Sequence, residues 1–131
     1  MEIQKKQFKY RGKTIEELKA LDIREFAKLL KSRQRRFVLR NFQEIDKFVK
    51  RAEGKIAKKK SIRTHLRDLI IVPKLIGMKI YVYTGRAFVP IEVIGEMLGH
   101  KFGEFAPTRA RIKHGKAGVG ATKGTKSKSK K

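Results

Sequence analysis

The sequence has no cysteine and no tryptophan, and only 12 of its 131 residues are acidic. Without cysteine the chain forms neither disulfides nor thiolate zinc sites, and it has no cysteine nucleophile. No apolar run approaches the roughly 20 residues that a membrane-spanning helix needs. The N-terminus also lacks the apolar stretch of a secretory signal. We therefore expect a cytoplasmic protein.

Motifs of metal binding and catalysis are missing as well. The histidines His65, His100 and His114 are 35 and 14 residues apart, whereas metal ligands generally recur at short helical or loop spacing. His65 and Asp68 could form an acid–base pair, but a contact of Asp68 with Arg67 or a neighbour explains that carboxylate equally well. We predict a protein that is not an enzyme and that uses no metal or cofactor.

Positive charge is what the chain has in excess. Its 35 lysines and arginines give a formal net charge of +23. A merely solvated surface mixes both signs, so the excess indicates a polyanionic partner. Nucleic acid is the expected one, because lysine and arginine gain free energy by displacing its condensed counterions.

The charge is unevenly distributed. Residues 61–105 hold six basic and four acidic residues, whereas residues 106–131 hold nine basic residues and no acid. A segment of the second kind has too few apolar residues to bury a core. We expect it to be a flexible tail that becomes ordered on RNA.

Residues 14–53 are predicted to form two or three short helices. Thr14-Ile15-Glu16-Glu17 and Asp22-Ile23-Arg24-Glu25 are capping boxes, in which the side chains at both ends satisfy backbone amides. Gly12-Lys13-Thr14 resembles the end of a phosphate-binding loop, but Gln7 stands where that motif needs a glycine, so a helix cap explains Thr14 better. We predict that Gly54 ends the helices and that residues 54–60 form a basic linker.

The clearest strand pattern begins at Met78. Apolar Met78, Ile80 and Val82 alternate with Lys79, Tyr81 and Tyr83, which is typical of a strand with one buried face. Thr84-Gly85 is a tight-turn pair, and residues 88–93 form the return strand, which Pro90 places at an edge or at a bulge. Residues 62–65 are predicted to be a short first strand and residues 95–98 one helical turn closed by Gly99. Extended chain is expected from Lys101 onward.

These elements predict an α+β fold: a small antiparallel β-sheet with flanking helices, extra N-terminal helices and a basic flexible C-terminal tail. We divide the chain into an N-terminal helical extension and basic linker (1–60), an α+β core (61–105) and the tail (106–131). The alternative is that residues 1–53 and 61–105 are separate domains, but the length favours one body.

Basic and aromatic residues alternate at several places: Arg36-Phe37, Lys47-Phe48, Arg86-Ala87-Phe88 and Lys101-Phe102. Cations bind phosphates, and rings can stack on unpaired bases. Burial in the core is the better explanation for each ring taken singly. It does not explain the excess of lysine and arginine.

One stretch goes beyond composition. Gly99-His100-Lys101-Phe102-Gly103-Glu104-Phe105-Ala106-Pro107-Thr108-Arg109 resembles the signature of the universal small-subunit ribosomal protein family numbered nineteen, called fifteen in the older eukaryotic naming. Three other segments agree in order and spacing: Arg63-Thr64-His65-Leu66-Arg67-Asp68, Pro73-Lys74-Leu75-Ile76-Gly77, and Tyr83-Thr84-Gly85-Arg86 leading to Val89-Pro90. Residues 1–60 and 114–122 are similar to the archaeal and eukaryotic branch. The basic run from Lys123 to Lys131 departs from the eukaryotic form, which has a more apolar terminus.

The resemblance implies a structural constituent of the small ribosomal subunit head, part of a ribonucleoprotein in the cytoplasm. It implies binding to small-subunit ribosomal RNA and packing near the neighbouring head protein conventionally numbered thirteen. The tail is implied to reach toward the decoding centre and transfer RNA. The implied fold, a small antiparallel sheet with flanking helices, agrees with the pattern of residues. We expect neither a homo-oligomer nor a membrane partner.

We predict RNA contacts that mostly position the protein on phosphates and contribute little base recognition. The candidates are Arg63, Arg67, Lys74, Lys79, Arg86, His100, Lys101, Arg109, Arg111, Lys113, His114 and Lys116. Within the signature, Phe102 and Phe105 are expected to anchor the loop on the sheet. Glu104 is expected to hold a nearby arginine or a backbone amide.

Two other functional classes share some of these features. A DNA-compacting protein would carry similar charge, but it normally offers a dimer interface or a helix that reads a groove. An RNA-modifying enzyme would need a cofactor pocket, and the sequence has no motif for one.

Overall fold

The computed structural model describes residues 7–113, 115–118 and 121–126. The strands and helices, in chain order, are β1 (Lys9–Tyr10), β2 (Lys13–Thr14), α1 (Ile15–Ala20), α2 (Ile23–Leu29), α3 (Ser32–Arg40), α4 (Phe42–Ala57), β3 (Ile62–Thr64), β4 (Lys79–Tyr83), β5 (Phe88–Glu92) and α5 (Lys123–Lys126). Short 3-10 turns lie at Pro73–Leu75, Gly95–Met97 and Phe102–Phe105. Within these residues no helix combines the length and the apolar character that crossing a membrane requires.

A small hairpin precedes the helices, in a segment without a clear sequence pattern. Lys9 pairs with Thr14 and Tyr10 with Lys13. The two loop residues, Arg11 and Gly12, have φ angles of 51° and 81°. Positive φ at both loop positions is the requirement of a type I′ turn. Glycine adopts a positive φ without strain, whereas arginine rarely does. Of the two loop residues, only Gly12 is therefore of a type that predicts this turn.

Both predicted helix starts are confirmed. The Thr14 amide donates to the Glu17 carboxylate at 2.9 Å, and the Glu17 amide donates to the Thr14 hydroxyl at 3.4 Å. The Asp22 amide donates to the Glu25 carboxylate at 3.3 Å. Each bond satisfies a backbone amide at a helix N-terminus that would otherwise have no partner within the helix.

The predicted stop at Gly54 is wrong, because α4 continues to Ala57. The chain leaves the helix through Lys59, which lies two residues beyond Ala57 and has a left-handed φ of 53°. The Lys59 amide donates to the Ile56 carbonyl at 2.9 Å and the Lys60 amide to the Lys55 carbonyl at 2.8 Å. This pair of bonds is a Schellman motif. A glycine inside a helix costs only about 1 kcal/mol relative to alanine, so Gly54 is tolerated where the later cap secures the last turn.

The larger sheet has the strand order β3-β4-β5. Strands β4 and β5 pair antiparallel as predicted, with Tyr81 opposite Pro90. Strand β5 lies at an edge of the sheet, which is one of the two positions that its proline predicted. Strand β3 pairs parallel with β4, with Ile62 opposite Ile80. A parallel pair needs a long crossover, which residues 65–78 provide. The α+β class is confirmed, and the sheet is mixed.

The helices and the sheet share one hydrophobic core. It contains Leu18 of α1, Phe26 of α2, Val38 of α3, Ile45 and Phe48 of α4, and Ile80, Val82 and Ile91 of the sheet. The predicted alternation of β4 is confirmed, because Ile80 and Val82 are buried and Lys79 is exposed. The division of the chain at residues 60 and 105 stays a prediction.

The expectation of extended chain from Lys101 is wrong for Phe102–Phe105, which form a 3-10 turn. The turn is held on the crossover segment, since the Phe102 amide donates to the Leu69 carbonyl at 3.2 Å and the Gly103 amide to the Arg67 carbonyl at 2.9 Å. From Pro107 the described residues as far as 118 are exposed and carry neither helix nor strand.

Candidate nucleic-acid interface

Residues 99–105, here called the signature loop, are fixed to the body by an aromatic side chain. Phe102 has no exposed surface, and its ring meets that of Phe48 in α4 edge to face, with 5.6 Å between the centroids. The prediction that Phe102 anchors the loop is confirmed by its burial, but its aromatic partner lies on helix α4 and not on the sheet as expected. Phe105 is half-buried and lies 6.0 Å from the His100 ring.

Arg67 fixes the other end of the signature loop. Its guanidinium donates to the Tyr83 carbonyl at 2.7 Å, to the Gly103 carbonyl at 3.0 Å and to the Ala106 carbonyl. One side chain therefore joins the end of β4 to Gly103 within the 3-10 turn and to Ala106 directly after it. A Cβ atom on Gly103 would lie 3.3 Å from the Arg67 backbone oxygen, which explains the glycine there. Arg67 serves the fold, and its contact with RNA stays a prediction.

Glu104 is the one acid of the signature loop. Its carboxylate lies 2.8 Å from Nδ1 of His100 and accepts from the Lys101 amide at 3.5 Å. The prediction that it holds a backbone amide is confirmed, with His100 as a further partner. In the part of the chain that the structure describes, the ammonium of Lys101 makes no ion pair within 4 Å. That ammonium lies 4.9 Å from the centre of the Phe37 ring in α3, so the loop and the helix meet at this point.

A cavity of about 540 Å³ lies between α3 and the signature loop; we call it the arginine groove. Its lining includes Arg33, Arg36, Phe37 and Arg40 of α3, Ile70, and Gly99, Lys101 and Glu104 of the loop. The three arginines follow at spacings of three and four residues, which places them on one helical face. They were not among the predicted contacts, although that spacing was readable in the sequence.

The outward face of the sheet carries a second cluster. The rings of His65, Tyr83 and Phe88 lie within 5.2 Å of one another, measured between centroids. The guanidinium of Arg63 lies 5.4 Å above Phe88. His65 is thus an aromatic neighbour, and no ion pair with Asp68 occurs in the described part of the chain. The alternation of basic and aromatic residues here produces a half-exposed cluster and not a core.

The remaining predicted residues are spread along the chain. Lys74 is half-buried at the turn Pro73–Leu75, Lys79 is exposed at the start of β4, and Arg86 is exposed in the hairpin turn. The predicted contacts described after the signature loop are all exposed: Arg109, Arg111, Lys113 and Lys116. His114 lies outside the described residues. Of the predicted residues that the structure describes, Lys101 lies against Phe37 of α3. His100 contacts Glu104 of its own loop, and Arg63 lies over Phe88 in the sheet cluster.

Few cations are neutralised within the protein. In residues 7–113, 115–118 and 121–126, the ion pairs within 4 Å are Lys50 with Asp46, at 2.7 Å, and His100 with Glu104. The Lys50 ammonium donates a hydrogen bond to the Asp46 carboxylate, and this bond together with the negative charge of Asp46 raises the pKa of Lys50 above its usual value of 10.5. The same ranges contain no cluster of acidic and histidine side chains that could hold a metal ion. The described surface is arranged to meet anions rather than to bind cations.

Comparisons with known proteins agree with the resemblance in the sequence. The model of the family "Ribosomal protein S19" matches residues 24–114. The small ribosomal subunit protein uS19 of Methanococcoides burtonii is 44% identical over 124 residues, which cover 93% of this chain and 88% of that protein. The family match includes α3, the sheet and the signature loop.

Proposed function

The chain belongs to the ribosomal protein S19 family, and from that premise we propose that it is a structural constituent of the small ribosomal subunit that binds the subunit's ribosomal RNA. Membership of this family confirms the prediction of a ribosomal protein that is not an enzyme. The protein acts on the ribosome in the cytoplasm.

The observation that carries RNA binding is the imbalance between charge and internal pairing. The formal net charge is +23, and Lys50 and His100 are the only basic side chains that make an ion pair in the described residues. So many unpaired cations repel one another in the free protein, and phosphates relieve that repulsion. Release of counterions from the RNA adds a further favourable term.

The finer proposal places the protein in the head of the subunit. There it packs near the head protein conventionally numbered thirteen, and its tail extends toward the decoding centre and transfer RNA. The support for the tail is its composition, because no acid follows Glu104 and the residues described from 107 to 118 are exposed. Such a segment can follow phosphates between RNA helices once they order it.

The test is the affinity of the full chain for the head domain of small-subunit ribosomal RNA, measured across a salt series. Duplex DNA and an unrelated structured RNA serve as controls. We expect a preference for the ribosomal RNA that survives moderate salt, because shape and position add to charge. Equal binding to all three that collapses together with salt would contradict the proposal and favour a DNA-compacting protein.

A further inference from the structure

We infer that the arginine groove binds consecutive phosphates of an RNA strand, so that the N-terminal helices form an RNA-binding element separate from the tail. The inference rests on the proposed function, since the RNA is taken to be that of the small subunit. It assigns a ligand to Arg33, Arg36 and Arg40, which the fold itself does not use.

The arginines of α3 divide into two kinds. Arg35 donates to the Lys28 and Leu30 carbonyls at 3.1 Å each, so it fastens the end of α2 to α3. Arg33, Arg36 and Arg40 are exposed, and none of them makes an ion pair or a side-chain hydrogen bond within the described ranges. Their guanidinium groups are therefore available to an external ligand.

The helix presents these groups at a spacing that suits a polyanion. An α-helix rises 1.5 Å per residue, so Arg33 and Arg40 are separated by about 10 Å along the axis. For comparison, one strand of duplex DNA carries one negative charge per roughly 3.4 Å of helix axis. The three guanidinium groups can therefore meet more than one phosphate of the same strand. Arginine also presents a planar fork of donors that matches phosphate oxygens.

The opposite wall of the groove carries one cation, Lys101, and one carboxylate, Glu104. Lys101 faces α3 across the Phe37 ring, and the Glu104 carboxylate is engaged by His100 and by the Lys101 amide. The wall is held in place by the buried Phe102. Because the wall is the signature loop, the groove continues a surface that we already assign to RNA. This continuity favours RNA over an acidic protein as the occupant.

The test uses two charge-matched double variants of the full chain. Arg36→Gln with Arg40→Gln removes two cations from the groove, four residues apart on α3. Lys47→Gln with Arg51→Gln removes two cations at the same spacing from the exposed face of α4, where neither residue lines the groove. Glutamine is close to lysine and arginine in helix propensity, so thermal unfolding should match the wild type for both variants.

Affinity for the head-domain RNA is measured over a salt series. We expect the groove variant to bind about tenfold or more weakly and its slope of log K against log salt to fall by about 1.4, at roughly 0.7 per phosphate contact. The α4 variant should change by less than half as much. Equal slopes for the two variants would overturn the inference. So would a groove variant that binds RNA like the α4 variant but alone loses binding to a poly-glutamate probe.

The outcome for the groove is distinguishable from that for the proposed function. The function depends on whether the wild type prefers ribosomal RNA to duplex DNA. The inference about the groove depends only on how the slope of log K against log salt differs between the two variants on one RNA. A wild type that prefers ribosomal RNA, with equal slopes for the variants, would retain the function and reject the groove.

Discussion

Two basic regions of this protein present the same kind of charge in different ways. The arginine groove stands on α3, whose Val38 is fully buried, and on a loop fixed by Phe102 and Arg67. The segment from Pro107 to Gly118 is basic too, but its described residues are exposed and have no regular structure. The groove offers phosphates a fixed geometry, whereas the segment must pay for its own ordering when it binds.

The role of an arginine in this protein depends on what it is packed against, and not on how basic its surroundings are. Arg35 and Arg67 give their donors to backbone carbonyls of the fold, while Arg33, Arg36 and Arg40 turn theirs toward a cavity. The residues described from 107 to 118 are exposed and form no helix or strand, so no packed element assigns their arginines to different roles. Its cations should contribute to RNA affinity and hardly at all to stability.

The largest expected effect is on the packing beneath the signature loop. Phe102→Ala should lower the free energy of unfolding by about 3–5 kcal/mol, because it leaves a cavity beside Phe48. The matched control is Ile112→Ala, since that side chain is 76% exposed in the segment after the loop, and it should cost less than about 0.5 kcal/mol. Urea denaturation measures both. Similar losses would show that the two regions are packed alike.

The next effect concerns Arg67. Arg67→Lys keeps the charge but cannot reproduce the planar fork, so carbonyls at Tyr83, Gly103 and Ala106 lose partners. We expect a loss of about 2–4 kcal/mol in the free energy of unfolding. Arg86→Lys, at an exposed position in the hairpin turn, should leave stability nearly unchanged. If Arg67→Lys were also neutral in denaturation, the guanidinium would not hold the loop.

Removing charge from the segment Pro107 to Gly118 should lower RNA affinity and leave stability unchanged. Arg109→Ala with Arg111→Ala should leave the unfolding midpoint unchanged, because both side chains are exposed. Affinity for the head-domain RNA should fall, and the slope of its salt dependence should drop by about 1.4 if both residues meet phosphates. A salt series on wild type and variant checks this. An unchanged slope would remove these residues from the interface.

The smallest effect concerns Lys50, which is exposed on α4. Lys50 has a raised pKa because of Asp46, so the stability contributed by this pair is fully present below pH 10.5 and is lost as the pH rises through the raised value. The pair is exposed, with the Lys50 side chain 73% accessible, so solvent screens it strongly. Lys50→Gln should leave the unfolding midpoint at pH 7 almost unchanged. A large shift would mean that Lys50 supports the fold in a way that the ion pair does not explain.

Local features of the fold were predictable from the sequence. The capping boxes at Thr14 and Asp22 and the hairpin through Gly85 depend on residues within a few positions of each other. Pro90 placed β5 at an edge, because proline cannot donate to a neighbouring strand. The run from Gly99 to Arg109 and three further segments, which begin at Arg63, Pro73 and Tyr83, indicated the family from their residues.

Features that depend on distant contacts were not predictable. The parallel pairing of β3 with β4 depends on how residues 65–78 cross over. The role of Arg67 requires Gly103 and Ala106, more than 30 residues away, to approach its side chain. The arginines of α3 were visible as a basic run, but only the fold shows that three of them face the signature loop and that Arg35 does not.

The most direct test of the two-region account is hydroxyl-radical footprinting of the small-subunit RNA head domain with wild-type protein, the groove variant and the Arg109→Ala, Arg111→Ala variant. We predict a few discrete protected positions on the RNA. The groove variant should lose one subset of these positions, and the segment variant should lose another. Diffuse protection, or loss of the same positions in both variants, would contradict the claim that a fixed groove and an extended segment bind different parts of the RNA.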